Sequence, residues 1–108
     1  MSSIVKIVQP SGILDGVSVN QLRREISDIV ESGANIVLVD FQDVTFMNSS
    51  GLGALVSTLK VVRSAGAELF LCSLSDQVKI IFQLTKMDRV FKTLANRDEF
   101  EQKVASTI

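Results

Sequence analysis

The run Asn35-Ile36-Val37-Leu38-Val39-Asp40 constrains this chain more than any other segment. Four successive aliphatic side chains leave a strand no polar face. Such a strand is buried on both sides, as in a parallel sheet covered by helices. Parallel strands need long crossovers, so helical periodicity should flank the run. Upstream, Val19, Leu22, Ile26, Ile29 and Val30 fall on one helical face, with Arg23, Arg24, Glu25, Asp28 and Glu31 mostly on the other. Downstream, Leu52, Leu55, Leu59 and Val62 mark the inner face of a helix from about Ser50 to Arg63.

The remaining segments alternate in the same way. Ile4 to Val8 is strand-like, and Pro10 should bend or end that strand. Ser11 to Gly16 is a short apolar step between turn signals. Ser18 and Gln21 match a capping box at the start of the first helix. Gly33 and Gly66 read as helix stops. Ala67 to Cys72 is another strand. Ser75 or Asp76 caps a helix with Val78, Ile81, Phe82 and Leu84 as its stripe. Val90-Phe91 reads as a short edge strand or a core plug. Asn96 caps a last helix that points Phe100 and Val104 inward. Strands alternating with helices give an α/β sheet with right-handed crossovers.

The chain has 108 residues and 46% hydrophobic content, enough for one domain, residues 1–108, with its own core. A net charge of −1 argues against nucleic acid or an anionic membrane as partner. The one cysteine, Cys72, lies in an apolar run, reads as a small core residue and fits a reducing compartment. No signal-peptide pattern opens the sequence, and no apolar run approaches a membrane span. These features lead us to expect a cytoplasmic protein. There is no histidine. Serine–histidine or cysteine–histidine pairs and imidazole metal ligands are therefore impossible, and no metal site, cofactor or catalytic residue is expected.

One segment stands apart. In Asp40-Phe41-Gln42-Asp43-Val44-Thr45-Phe46-Met47-Asn48-Ser49-Ser50-Gly51-Leu52-Gly53-Ala54-Leu55, a strand runs into a turn and two hydroxyls sit where a helix begins. Functional crevices of open α/β sheets lie beyond the carboxyl ends of parallel strands. A helix start offers unpaired amides and partial positive charge, which suit a phosphate on Ser50. The bland reading is that Asn, Ser and Gly are ordinary turn and cap residues. Gly51-Leu52-Gly53 lacks the third glycine of a dinucleotide fingerprint, and no phosphate-loop Gly-Lys-Ser/Thr follows.

Val44 to Leu55 resembles the signature of the STAS domain of bacterial anti-sigma factor antagonists, an apolar strand followed by Asp-Ser-Ser/Thr-Gly-Leu-Gly. Gly12-Ile13-Leu14-Asp15 resembles that family's step before its first helix. Gly66-Ala67-Glu68-Leu69 resembles its entry to the next strand, and Leu74 to Val78 its capped third helix. The resemblance implies one α/β domain with a mixed central sheet of four to five strands and about four helices. It implies a non-enzymatic protein whose unphosphorylated form sequesters an anti-sigma factor serine kinase. Ser50 is then the phosphoacceptor, with Ser49 as second choice, and a metal-dependent serine phosphatase reverses the step. Asp15, Asn48, Ser49, Ser50, Gly51 and Leu52 form the implied partner surface. Asn48 departs from the family's aspartate, keeping its shape and losing its charge. STAS domains also serve as interaction subunits of stress-signalling or lipid-transport complexes and as transporter tails. The short flanks of this chain lead us to expect a free-standing module.

Overall fold

A computed structural model describes residues 4–104. The expected domain of residues 1–108 extends beyond them, and its ends lie outside the described residues. The elements run in chain order as β1 (Val5–Val8), β2 (Ser11–Leu14), α1 (Gly16–Glu31), β3 (Ile36–Asp40), β4 (Asp43–Met47), α2 (Ser49–Ser64), β5 (Glu68–Cys72), α3 (Asp76–Leu84), a 3-10 turn (Met87–Arg89), β6 (Lys92–Leu94) and α4 (Arg97–Lys103).

The uninterrupted aliphatic run forms β3, every residue of which is buried. It lies inside a four-stranded sheet of order β1-β3-β5-β6, and β2 and β4 form a separate two-stranded sheet. The expected α/β architecture holds, with one difference. Every pairing among the described strands is parallel, where a mixed sheet was expected. The reason lies at Gln9-Pro10. Instead of folding back as a hairpin, the chain continues past Pro10, so β1 pairs with β3 and β2 with β4, each in the same direction.

Successive residues of a strand face opposite sides. Val37 and Val39 therefore join the main core, with Val19, Leu22 and Ile26 of α1, Leu52, Leu55 and Leu59 of α2, and Val78 and Phe82 of α3. Ile36 and Leu38 face the other side, where Phe70 and Cys72 of β5 meet Phe100 of α4 in a second cluster. Burial pushes the Cys72 thiol above its usual range.

Four details of these elements sharpen or correct the sequence reading. Asp15, not Ser18, caps α1: its carboxylate accepts the Ser18 amide at 2.9 Å, and the Ser18 hydroxyl accepts the Asp15 amide at 3.0 Å. Both residues are good caps, and the upstream one wins because Gly16 and Val17 can then join the helix. Ser75 caps α3. Leu84 leaves the expected stripe and is 80% exposed. It lies six residues after Val78, roughly 240° around the helix. Phe91 is the plug of the main core, and the edge strand starts after it at Lys92.

At the carboxyl end of β3, Asp40 is fully buried and pairs with Arg97 at 2.6 Å. It also accepts the Gln42 amide at 2.9 Å. Arg97 reaches Gln9 as well, and Gln9 donates to Asp43 at 2.8 Å. These polar groups tie α4 to the ends of β1 and β3 and to the start of β4. No helix among the described residues is long and apolar enough to cross a membrane.

Candidate functional site

The site is built where β4 hands over to α2. Asn48 has an extended backbone, and its side-chain Oδ1 accepts the Gly51 amide at 2.8 Å, which starts the helix at Ser49. The Leu52 amide donates to the Asn48 carbonyl at 3.0 Å, and the Asn48 amide donates to the Leu14 carbonyl at 3.3 Å. Asparagine thus performs the capping task that an aspartate could perform, without its charge.

Gly51 explains how tightly this turn is seated. A Cβ added there would lie 2.1 Å from the Leu14 carbonyl oxygen and 3.4 Å from the Asp15 Cα. The helix therefore starts with its backbone pressed on the end of β2. Across the same contact, a Cβ on Gly16 would meet the Ser50 Cβ at 3.5 Å. The Asp15-Gly16 step and Ser50, 34 positions apart in the chain, become neighbours.

Of the six residues expected at the partner surface, Asp15, Asn48, Ser49 and Ser50 lie together at this junction. Ser49 and Ser50 are exposed, and neither hydroxyl bonds to another protein group among the described residues. Gly51 and Leu52 are buried, and Leu52 belongs to the main core. They seat the helix and are not available to a partner. A leucine three residues before Leu55 lies on the same helical face, so its inward direction was already legible.

Asp15 serves the local structure as well as the surface. Its carboxyl is held below the usual range, first by the Ser18 amide and then by the Ser18 hydroxyl. Asp15→Ala should therefore lower the melting temperature by several degrees, read by circular dichroism. Asp15→Asn, which can still cap, should restore most of the loss. A partner-binding role predicts weakened binding by both variants, beyond any effect on folding.

The sequence reading missed the apolar ring around the serines. β2 and β4 pair with Ile13 beside Phe46 and Leu14 beside Met47. Ile13 and Phe46 are exposed, whereas Leu14 and Met47 are buried. On the far side, α3 adds exposed Ile80 and Leu84, which with Phe46 and Ser49 line a groove of about 350 Å³. Val17, next to Gly16, is also exposed. Ile13, Val17, Phe46, Ile80 and Leu84 are five of the seven large exposed hydrophobics among the described residues. Isolated exposed hydrophobics are ordinary, but a cluster of this kind marks an interaction surface. Gln77 fixes the groove: its side-chain Oε1 accepts the Met47 amide at 2.9 Å, and its Nε2 donates to the Met47 carbonyl at 2.8 Å. The register pairing Ile13 with Phe46 was the available signal, and it appears only once β2 and β4 are aligned.

Known proteins resemble this chain in sequence and in fold. The sequence model of the STAS domain matches residues 2–101. The anti-sigma-B factor antagonist of Bacillus subtilis is 31% identical over 91 residues, covering 84% of this chain and 83% of that protein. The protein of the same name from Staphylococcus aureus is 31% identical over 78 residues, 72% of each chain. In structure, TM1081 of Thermotoga maritima superposes with a TM-score of 0.81 at 26% identity, covering 92% of this chain and 86% of that one. With its junction, its sheet order and these relatives, the chain belongs to the STAS domain family.

Proposed function

We propose that this chain is an anti-sigma factor antagonist that works by partner switching. The observation that carries the reading is an exposed serine pair at a helix start, ringed by Ile13, Val17, Phe46, Ile80 and Leu84. An apolar surface binds by excluding water, and a charge placed at its centre opposes that. Two relatives more than two-thirds covered by this chain carry the antagonist name, which supports the same reading.

In this scheme the unphosphorylated chain docks on an anti-sigma factor that is also a serine kinase, in the cytoplasm. ATP and magnesium belong to that kinase, and this chain catalyses nothing itself. The γ-phosphoryl group of ATP passes to the Ser50 Oγ. An O–P bond forms there, the bond to the β-phosphate oxygen breaks, and a base on the kinase takes the hydroxyl proton. Ser50 gains about −1.5 to −2 charges. The partner then faces a dianion against a surface it had desolvated, and it leaves. A metal-dependent serine phosphatase resets the site. Ser50 is favoured over Ser49 because it lies against the Asp15-Gly16 step, whereas Ser49 lines the groove beside Phe46, Ile80 and Leu84.

The test is phosphosite mapping by mass spectrometry after incubation with the cognate kinase and ATP. Label on Ser50 is expected. Label only on Ser49, or on neither serine, would sink the assignment. Ser50→Asp should weaken kinase binding at least about tenfold, read by calorimetry, because an unpaired carboxylate desolvated at an apolar interface is strongly unfavourable.

A further inference from the structure

We propose that the crevice between α3 and β6 binds a small zwitterion, an α-amino acid with an apolar side chain. The site is independent of the proposed switch at Ser50.

The crevice has a volume of about 350 Å³, at the lower end of the range of small-molecule sites. It lies beyond the carboxyl ends of β5 and β6, where open α/β sheets place their ligands. Local structure builds it from three segments. The Ser73 amide donates to the Ala95 carbonyl at 3.2 Å, which ties the exits of β5 and β6 together. α3 supplies a wall through Lys79, Phe82 and Gln83, and the 3-10 turn brings in Asp88. Residues 79, 82 and 83 share one helical face. Gln77, Ile80, Ile81 and Leu84 lie on the other side of α3, where they line the groove beside Ser49. The two sites are therefore separate and have one helix in common.

The backbone around the crevice carries strain. Ser73 and Lys86 are the non-glycine residues with a left-handed backbone among the described residues, each with a φ of 60°. Ser73 precedes Leu74 in the crevice wall, and Lys86 leads into the turn that carries Asp88. A side chain in that conformation costs stability, and such costs gather at ligand sites.

The lining charges are uncommitted. Lys79 and Asp88 have opposite signs, yet they pair neither with each other nor with any other group among the described residues. The side-chain amide of Gln83 and the hydroxyl of Thr93, which also line the crevice, have no protein partner there either. The remaining lining is mostly apolar, from Leu74, Phe82 and Leu94.

This combination selects the ligand. A wholly apolar molecule would desolvate Lys79 and Asp88 without giving either a partner, which is costly. An anion would satisfy Lys79 and place a like charge near Asp88. A zwitterion satisfies both: its carboxylate accepts from the Lys79 ammonium, and its own ammonium donates to the Asp88 carboxylate. An aliphatic side chain on the same molecule covers Leu74 and Leu94 and gains from leaving water.

The experiment titrates L-leucine into the nitrogen-15-labelled chain and follows the backbone amides by NMR. Two analogues separate the charges. Isocaproate lacks the ammonium of leucine, and isoamylamine lacks its carboxylate. Leucine should give saturable shifts centred on Lys79, Gln83, Thr93 and Ala95, with a dissociation constant of about 1 mM or tighter. Each analogue should bind at least about tenfold more weakly, because it leaves one charge of the crevice unanswered. Lys79→Ala and Asp88→Asn change exposed residues and should melt close to the parent, and each should weaken leucine binding at least about tenfold. Absence of saturable shifts up to tens of millimolar leucine would overturn the proposal. So would an analogue that binds as tightly as leucine, or leucine binding that both variants leave intact. No kinase enters the measurement, so a failure here leaves the switch at Ser50 untouched, and a failure of phosphosite mapping leaves this site untouched.

Discussion

Gly51→Ala is expected to lower the melting temperature by more than about 10 °C, or to prevent folding altogether. The added methyl would sit 2.1 Å from the Leu14 carbonyl oxygen. That neighbour is backbone of β2, held by its pairing to β4, so it cannot turn aside as a side chain would. Relief requires moving α2 off the sheet, which also breaks the Asn48-to-Leu14 hydrogen bond and shifts Leu52 and Leu55 in the core. Overpacking of this kind costs about 3 kcal/mol or more, which for a domain near 100 residues corresponds to the stated shift. The control lies two residues away. A Cβ on Gly53 meets nothing within 4 Å, and Gly53 is exposed inside the helix. Gly53→Ala should therefore stabilise by about 0.5–1 kcal/mol, since alanine loses less backbone freedom in a helix. Thermal melts of the two variants decide the matter. Similar small effects would mean that the close approach at Gly51 is not a constraint.

The second large effect is expected at α4. This helix has 7 residues, too few to persist without packing. It is held by Phe100, fully buried with its ring edge-on to Phe70 at 5.8 Å, and by the Arg97–Asp40 pair. Phe100→Ala should cost about 3 kcal/mol and open the second cluster about 100-fold more often. Cys72 lies beneath that cluster and is fully buried, so its rate of labelling by a thiol reagent reports the opening. Labelling at the parent's rate in Phe100→Ala would show that α4 does not cover this face in solution.

The Arg97 half of the anchor should depend on pH. Burial by itself pushes the Asp40 carboxyl up, but the hydrogen bonds from Arg97 and the Gln42 amide, with the Arg97 charge, outweigh it and hold the carboxyl below its ordinary range. Asp40 therefore binds a proton more readily in the unfolded chain. Its contribution is complete above the unfolded value near 4 and is lost as the pH falls through the lower folded value. Asp40→Asn should flatten the loss of melting temperature in that acid window. Arg97 is 44% exposed on its side chain, so removing it should cost less than removing Phe100.

Much of this molecule was legible in the order of its amino acids. A run of four aliphatics could only be a doubly covered strand, and the helical faces around Leu22, Leu55 and Phe82 followed from a repeat of 3.6 residues. Other features were legible in kind but not in place. Asp15 and Ser18 are both good caps three residues apart, and local preference cannot choose between them. Leu84 shares the composition of its stripe but not its angle. The direction of pairing at β1 and β2 was not legible either, because Pro10 can end a strand or simply bend it.

By itself the sequence determined that a hydroxyl pair would stand at the carboxyl end of a strand and the start of a helix. That is a local matter, decided by strand propensity, a capping side chain and glycine. It also determined that no histidine-based chemistry could occur there. Only the tertiary structure decided what surrounds those hydroxyls. Ile13 and Val17 come from around one loop, Phe46 from β4, and Ile80 and Leu84 from α3, with Gln77 bridging 30 positions to hold the last wall. Such a surface depends on strand register and on contacts between distant segments. Neither is encoded by the composition of any single segment, so the serines became a candidate switch only when the folded chain placed an apolar ring around them.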